Sequence, residues 1–138
     1  MFTIEGTVIP GLGAAGLMTV VRQMPHFEAV IPEMKGFHPA TINLQLDGAL
    51  RIDTPDRQTD LAWSGPKPER FSFLRIGLEF PIGNTALDAW IYVPHDSPHF
   101  GKRCQVEIIA PKISGLSYGS RCRVQIHRGR TVPGLIIV

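Results

Sequence analysis

A closed or nearly closed β-barrel, mainly β with one short helix, is the fold class that this 138-residue sequence predicts. Three observations predict it. Short runs of β-forming residues recur along the chain, each stopped by Pro or Gly, which is the pattern of an all-β domain with many turns. Several runs alternate polar and apolar residues with the period of a half-buried strand, most clearly at 41–46, 105–110 and 121–127. Only one stretch carries helical spacing.

Taken in order, residues 2–9 are rich in β-formers (Phe2, Thr3, Ile4, Thr7, Val8, Ile9) and predict a strand ending at Pro10. Gly11-Leu12-Gly13-Ala14-Ala15-Gly16 follows as a run of small residues, and 17–21 reads as a second strand. Two readings of the run stay open. Small residues let backbone N–H groups approach an anion, as in phosphate-cradling loops; strand, small loop, strand is equally the outline of a hairpin. Met24, Phe27, Val30, Ile31 and Met34 then recur three and four apart and predict a short helix with one buried face. Pro25 suits its first turn, and Pro32 is expected to kink or end it. His26 and His38 fall near loop boundaries, without a spacing that makes them ligands.

In 41–46 the alternation puts Thr41, Asn43 and Gln45 on one face and Ile42, Leu44 and Leu46 on the other. Asp47-Gly48 signals a turn, Leu50 and Ile52 continue briefly, and 53–69 reads as a long polar loop holding Pro55, Gly65, Pro66 and Pro68. Trp63 within it either covers a flat ligand or packs the loop down. Phe71, Phe73, Leu74 and Ile76 predict a strand, with Leu78, Phe80 and Ile82 as its continuation or return. A turn at Gly83-Asn84, a strand over 89–93 stopped by Pro94, a loop at 96–101, a strand through Val106, Ile108 and Ala110 stopped by Pro111, and a strand through Cys122, Val124 and Ile126 complete the series.

The bulk numbers narrow the class of function. A chain of this length holds one domain, here 1–138, with a real core. Hydrophobic residues at 43% and charged residues at 19% describe a globular protein. The apolar run at 135–138 is too short to span a bilayer, and a cytoplasmic location is expected. A formal charge of +2 gives nucleic acid little to recognise, although basic residues gather over 121–130. That cluster reads either as a phosphate contact or as a solvated strand edge. Cys104 and Cys122 have no metal-site spacing and are expected as free thiols.

The chemistry concentrates at 36–46. Thr41 and Asn43 would present a hydroxyl and an amide oxygen about 7 Å apart at their α-carbons on one strand face. Both are hard neutral donors of the kind Mg²⁺ accepts while nucleotide phosphates and waters supply the rest, and both are equally ordinary solvent-facing strand residues. Were such an ion to bring a nucleotide to an alcohol, its phosphates would have to be held and a group near the attacking hydroxyl would have to take its proton. The backbone of 11–16 is a candidate for the first role and Glu107 for the second, with Asp88 and His99 in reserve.

Ile4-Glu5-Gly6-Thr7-Val8-Ile9-Pro10-Gly11-Leu12-Gly13, Gly36-Phe37 leading to Thr41-Ile42-Asn43-Leu44-Gln45-Leu46-Asp47, Val93-Pro94, His99 and Val106-Glu107-Ile108-Ile109-Ala110-Pro111 together resemble the archaeal CTP-dependent riboflavin kinase family. Order and approximate spacing agree from about residue 3 to residue 128. The resemblance implies a six-stranded cradle-loop (RIFT-related) β-barrel with crossing connections and one short helix. It implies transfer of the γ-phosphate of CTP to the ribityl hydroxyl of riboflavin, giving FMN and CDP. By the same resemblance Thr41 and Asn43 would hold Mg²⁺, Gly11, Leu12, Gly13, Ala14, Ala15 and Gly16 the nucleotide, His99 the substrate, and Glu107 would be the catalytic residue. The expected partners are riboflavin and a nucleotide, without membrane or nucleic acid, in a monomer or a homo-oligomer joined through the C-terminal tail. The sequence departs from the family pattern at Ala15 and Ala40, where Gly is usual, at Ile113-Ser114 in place of Leu-Arg, and at Gly119-Ser120 in place of Gly-Asp. These departures support an alternative reading, a nucleotide- or flavin-binding module on the same barrel without turnover.

Overall fold

A computed structural model describes residues 2–11, 16–50, 55–95, 104–126 and 136–137. The elements are β1 (Phe2–Ile9), α1 (Gly16–Val30), a 3₁₀ turn (Pro32–Met34), β2 (Ile42–Leu46), β3 (Gly48–Ala49), β4 (Arg57–Leu61), β5 (Glu69–Glu79), β6 (Leu87–Pro94), β7 (Gln105–Ile109), β8 (Arg121–Ile126) and β9 (Ile136–Ile137). Six strands close on themselves in the order β5-β6-β7-β2-β1-β8, every pair antiparallel. The barrel is sealed where β8 returns to β5 through Gly77–Gln125, Leu78–Val124 and Glu79–Arg123. Closure removes the open edges that a flat sheet of these strands would expose. Close approach of strands explains Gly6, where a Cβ would stand 2.6 Å from the Gln45 carbonyl oxygen.

Alternation sends one face of each barrel strand inward. Val8, Leu44, Ile76, Ile91, Ile108 and Val124 are buried together in the interior. A second core lies outside the wall, where Val20, Met24, Phe27 and Ile31 of the α1 region pack on Phe71 and Phe73 of β5 and Trp90 and Tyr92 of β6. The first half of β5 is therefore covered on both faces, with Phe71 and Phe73 outward and Leu74 and Ile76 inward, while Arg75 returns to solvent. It is one strand from Glu69 to Glu79; of the expected continuation Leu78 belongs to it, while Phe80 and Ile82 lie in the turn beyond.

Five sequence expectations are corrected. Residues 17–21 belong to α1, not to a strand, so the hairpin reading of the small-residue run fails. Leu17 to Val21 contains β-formers, but Val20, Met24, Phe27 and Ile31 are four, three and four apart, and burial of that stripe overrides local propensity. Pro25 consequently sits inside the helix rather than in its first turn, and it is exposed, where water can reach the carbonyl that lacks its N–H partner. Val30 is exposed too, and Ile31 takes its place in the core. The long loop at 53–69 contains β4, which among the described residues pairs with β5 alone and keeps most of its side chains at the surface, so it shows no apolar period. The described part of the basic cluster, residues 121–126, is not on a sheet edge, because β8 lies between β1 and β5.

Other expectations hold. The helix stops at Val30 and Pro32 opens the 3₁₀ turn. Trp63 packs the 61–69 connection against the outer core, its indole N–H donating to Glu69 at 2.6 Å and the Arg22 guanidinium lying 5.5 Å from its ring centroid. Both cysteines are free, and burial pushes the Cys122 thiol up. The C-terminal Ile136–Ile137 pairs with Gly48–Ala49 in a separate two-stranded sheet, not with the barrel. No helix among the described residues is long and apolar enough to cross a membrane.

Candidate functional site

One register row crosses the outer wall of the barrel and joins residues that are far apart in sequence. Ile9 of β1 lies opposite Asn43 of β2, Asn43 opposite Glu107 of β7, Glu107 opposite Tyr92 of β6, and Tyr92 opposite Phe73 of β5. At its β5 end the row runs under α1, where the Tyr92 hydroxyl donates to Gln23 Oε1 at 2.8 Å in the buried outer core. At its β1 end it opens to solvent. Glu107 stands on the boundary, half-buried.

This position sets the chemistry of Glu107. Burial disfavours the ionised carboxylate and raises its pKa above the ordinary glutamate range, while a hydrogen bond from Thr41 acts against that rise. The Thr41 hydroxyl donates to Glu107 Oε1 over a long 3.4 Å. Tyr92 is raised as well, mainly by desolvation and then by the nearby Glu107 charge, and it stays a neutral donor. Thr41, Asn43 and Glu107 thus meet in one place from two separate segments.

Gly11 joins them from a third. A Cβ on Gly11 would stand 3.0 Å from Asn43 Nδ2, so the chain leaving β1 lies directly against the Asn43 amide. Residues 12–15 of the small-residue run lie outside the described residues, and Gly16 is the first residue of α1. The approach to Thr41 is fixed from the other side. The His38 N–H donates to the Ala110 carbonyl at 3.0 Å, and the Ala40 N–H to the His38 carbonyl at 2.8 Å. The short Pro39-Ala40-Thr41 segment is therefore tied to the exit of β7.

A cavity of about 310 Å³ opens at this end of the barrel. Gly11, Thr41 and Asn43 line it, with Val8, Ile42 and Leu116 among its apolar walls. Its polar rim includes His38, Lys112 and Ser117. Sequence reasoning passed over His38 and missed Lys112 altogether. Neither stands in a recognisable spacing, and only the folding of 36–40 and 111–118 across the barrel mouth brings them to Asn43.

The remaining candidates fall elsewhere. Asp88 is exposed on β6 and ion-paired with Arg75 at 3.3 Å, and it is not among the cavity residues. His99 lies outside the described residues, as do 127–130 of the basic cluster. Arg121 and Arg123 already have acidic partners. Arg121 bonds Asp47, whose carboxyl it holds below the usual range, and Arg123 reaches Glu5 at 3.2 Å and Glu79 at 3.4 Å. These guanidiniums decorate the β8 surface and are not held in reserve for a phosphate.

Among the described residues no group of three or more His, Cys, Asp or Glu side chains is arranged to hold a metal ion. An ion at this mouth would take neutral oxygens, the Thr41 hydroxyl and the Asn43 amide. That donor set fits Mg²⁺ arriving with a polyphosphate, an ion that usually takes few protein ligands and keeps phosphate oxygens and waters. No protein-family model matches the chain, and no curated protein matches it.

Proposed function

We propose that this barrel is a Mg²⁺-dependent phosphotransferase acting on an alcohol, a riboflavin kinase that passes the γ-phosphate of CTP to the ribityl hydroxyl of riboflavin and releases FMN and CDP. The observation that carries the reading is the convergence of Gly11, Thr41 and Asn43 on one cavity, with Glu107 beside them, bonded to Thr41 and paired with Asn43 across β2 and β7. Each role that phosphoryl transfer to an alcohol requires has a residue there. The Gly11 backbone adjoins the place where phosphates would lie. Thr41 and Asn43 would hold the ion, which when bound neutralises charge on the phosphate oxygens. Glu107 would accept the proton of the attacking hydroxyl, and its raised pKa makes it a stronger base than an exposed glutamate.

Two of the departures from the family pattern meet compensations. Where the family carries Arg, this chain has the exposed Ser114, yet Lys112 lines the cavity two residues earlier and supplies a positive charge. Where the family carries Asp, Ser120 orders the loop instead, accepting from the Ser117 N–H at 3.0 Å. The choice of CTP and of riboflavin rests on the resemblance alone.

The test is nucleotide binding by calorimetry, with and without Mg²⁺. Wild-type protein should bind CTP only when Mg²⁺ is present, and Asn43→Ala should weaken that binding about 100-fold, the scale at which metal-site ligation is lost. Asn43 is only half-buried and lies on the outer face of β2, so the circular dichroism of Asn43→Ala should be unchanged. Equal CTP affinity in wild type and Asn43→Ala would remove Asn43 from the site.

A further inference from the structure

Tyr118 is out of keeping with the rest of the surface. Among the described residues the other large hydrophobic side chains classed as exposed are 36–39% exposed, whereas Tyr118 is 72% exposed, and it stands at the mouth of the cavity that Thr41 and Asn43 line. Its backbone is held firmly. Gly115 and Gly119 take the left-handed φ values of +80° and +90° that let the chain turn on either side of it. The Gly119 N–H donates to the Val8 carbonyl at 2.8 Å, the Val8 N–H to the Ser120 carbonyl at 2.8 Å, and the Ser120 N–H to the Ser117 carbonyl at 3.0 Å. A well-anchored turn thus presents an aromatic ring with little of its surface covered.

We propose that Tyr118 is the stacking platform for the nucleobase of the nucleotide, and that it selects a planar heteroaromatic ring at that end of the cavity. This rests on the phosphotransferase reading above. The cavity has the polarity this occupant requires. Thr41, Asn43 and the Gly11 backbone lie at one side for phosphates, Lys112 and His38 are cationic or hydrogen-bonding groups on the rim, and the apolar Ile113 and Leu116 lie in the same segment as Tyr118. A base laid on the phenol ring would cover the exposed face, and such stacking tolerates any base because every base has a π-face.

The experiment compares three probes on wild type, Tyr118→Ala and Tyr118→Phe, all with Mg²⁺: CTP, inorganic tripolyphosphate, and riboflavin followed by its fluorescence. Tyr118→Ala should bind CTP about tenfold more weakly, within the range found when a base-stacking aromatic is truncated. Tripolyphosphate, which has no ring, should bind wild type and Tyr118→Ala equally, and Tyr118→Phe should retain wild-type CTP affinity. Unchanged CTP binding by Tyr118→Ala would overturn the platform and leave the phosphotransferase reading standing. A loss confined to riboflavin would also overturn it, assigning the ring to the isoalloxazine. If wild type binds neither CTP nor tripolyphosphate, the phosphotransferase reading falls, and the platform with it.

Discussion

Glu107→Gln should lower riboflavin phosphorylation by about 10²–10⁴-fold in kcat, the range a positioned general base supplies, and should leave riboflavin affinity nearly unchanged. The substitution keeps the size and hydrogen-bonding capacity of the side chain at its place between Asn43 and Tyr92 and removes only the proton acceptor. It should not unfold the barrel. A carboxyl whose folded pKa is raised contributes stability below its unfolded pKa and loses it as pH climbs through the raised value, so an ionised Glu107 costs the fold more than an exposed glutamate would. Gln is neutral throughout, and the variant should be at least as stable as wild type at pH 7. On the proposed role of Glu107, the same shift should place the acid limb of the wild-type kcat profile above the ordinary glutamate range, because the protonated acid accepts no proton. Full activity in Glu107→Gln, checked by steady-state kinetics, would discard Glu107 as the base.

Phe27→Ala should cost the fold about 3–5 kcal/mol, the usual price of emptying a buried phenylalanine site. Phe27 is fully buried between α1 and the barrel wall, with its ring centroid 5.1 Å from Phe71, 5.1 Å from Phe73 and 5.5 Å from Tyr92. The first two contacts are edge-on, a favoured geometry for aromatic pairs. Urea denaturation should show the loss as a lower midpoint, with Phe27→Leu recovering part of it. The effect should reach the site, since α1 begins at Gly16, where the small-residue run ends, and Gln23 on the same helix receives the Tyr92 hydroxyl. Weakening the helix dock should therefore weaken Mg²⁺-CTP binding in native Phe27→Ala at low temperature. Stability within 1 kcal/mol of wild type, roughly the scale of a surface substitution, would mean that the aromatic cluster does not anchor α1.

The barrel was legible because its strands obey local rules. Asn43 and Gln45 outward with Leu44 and Leu46 inward is readable from the order of residues alone, and so are the stops at Pro10, Pro94 and Pro111. The start of α1 was not, since its first turns carry Val20 and Val21, and only contact with Phe71 and Phe73 shows which period governs them. Strand β4 stayed hidden because what defines it is pairing with β5, not a buried face. The site was legible only in part. Thr41 and Asn43 share a strand face within three residues, but the pairing of Asn43 with Glu107 joins positions 64 residues apart and depends on strand register. Lys112 and Tyr118 meet the same cavity through a loop whose path depends on two left-handed glycines, and nothing periodic announces it.

The most direct test of the account is FMN formation from riboflavin by purified protein with Mg²⁺, offering CTP and ATP in separate reactions. The account predicts FMN and CDP with CTP, none when Mg²⁺ is chelated, and little product from Asn43→Ala or Glu107→Gln. FMN from ATP alone would contradict the choice of nucleotide. No FMN from either nucleotide, with protein shown to be folded, would contradict the kinase itself and leave a barrel that binds its ligand without turning it over.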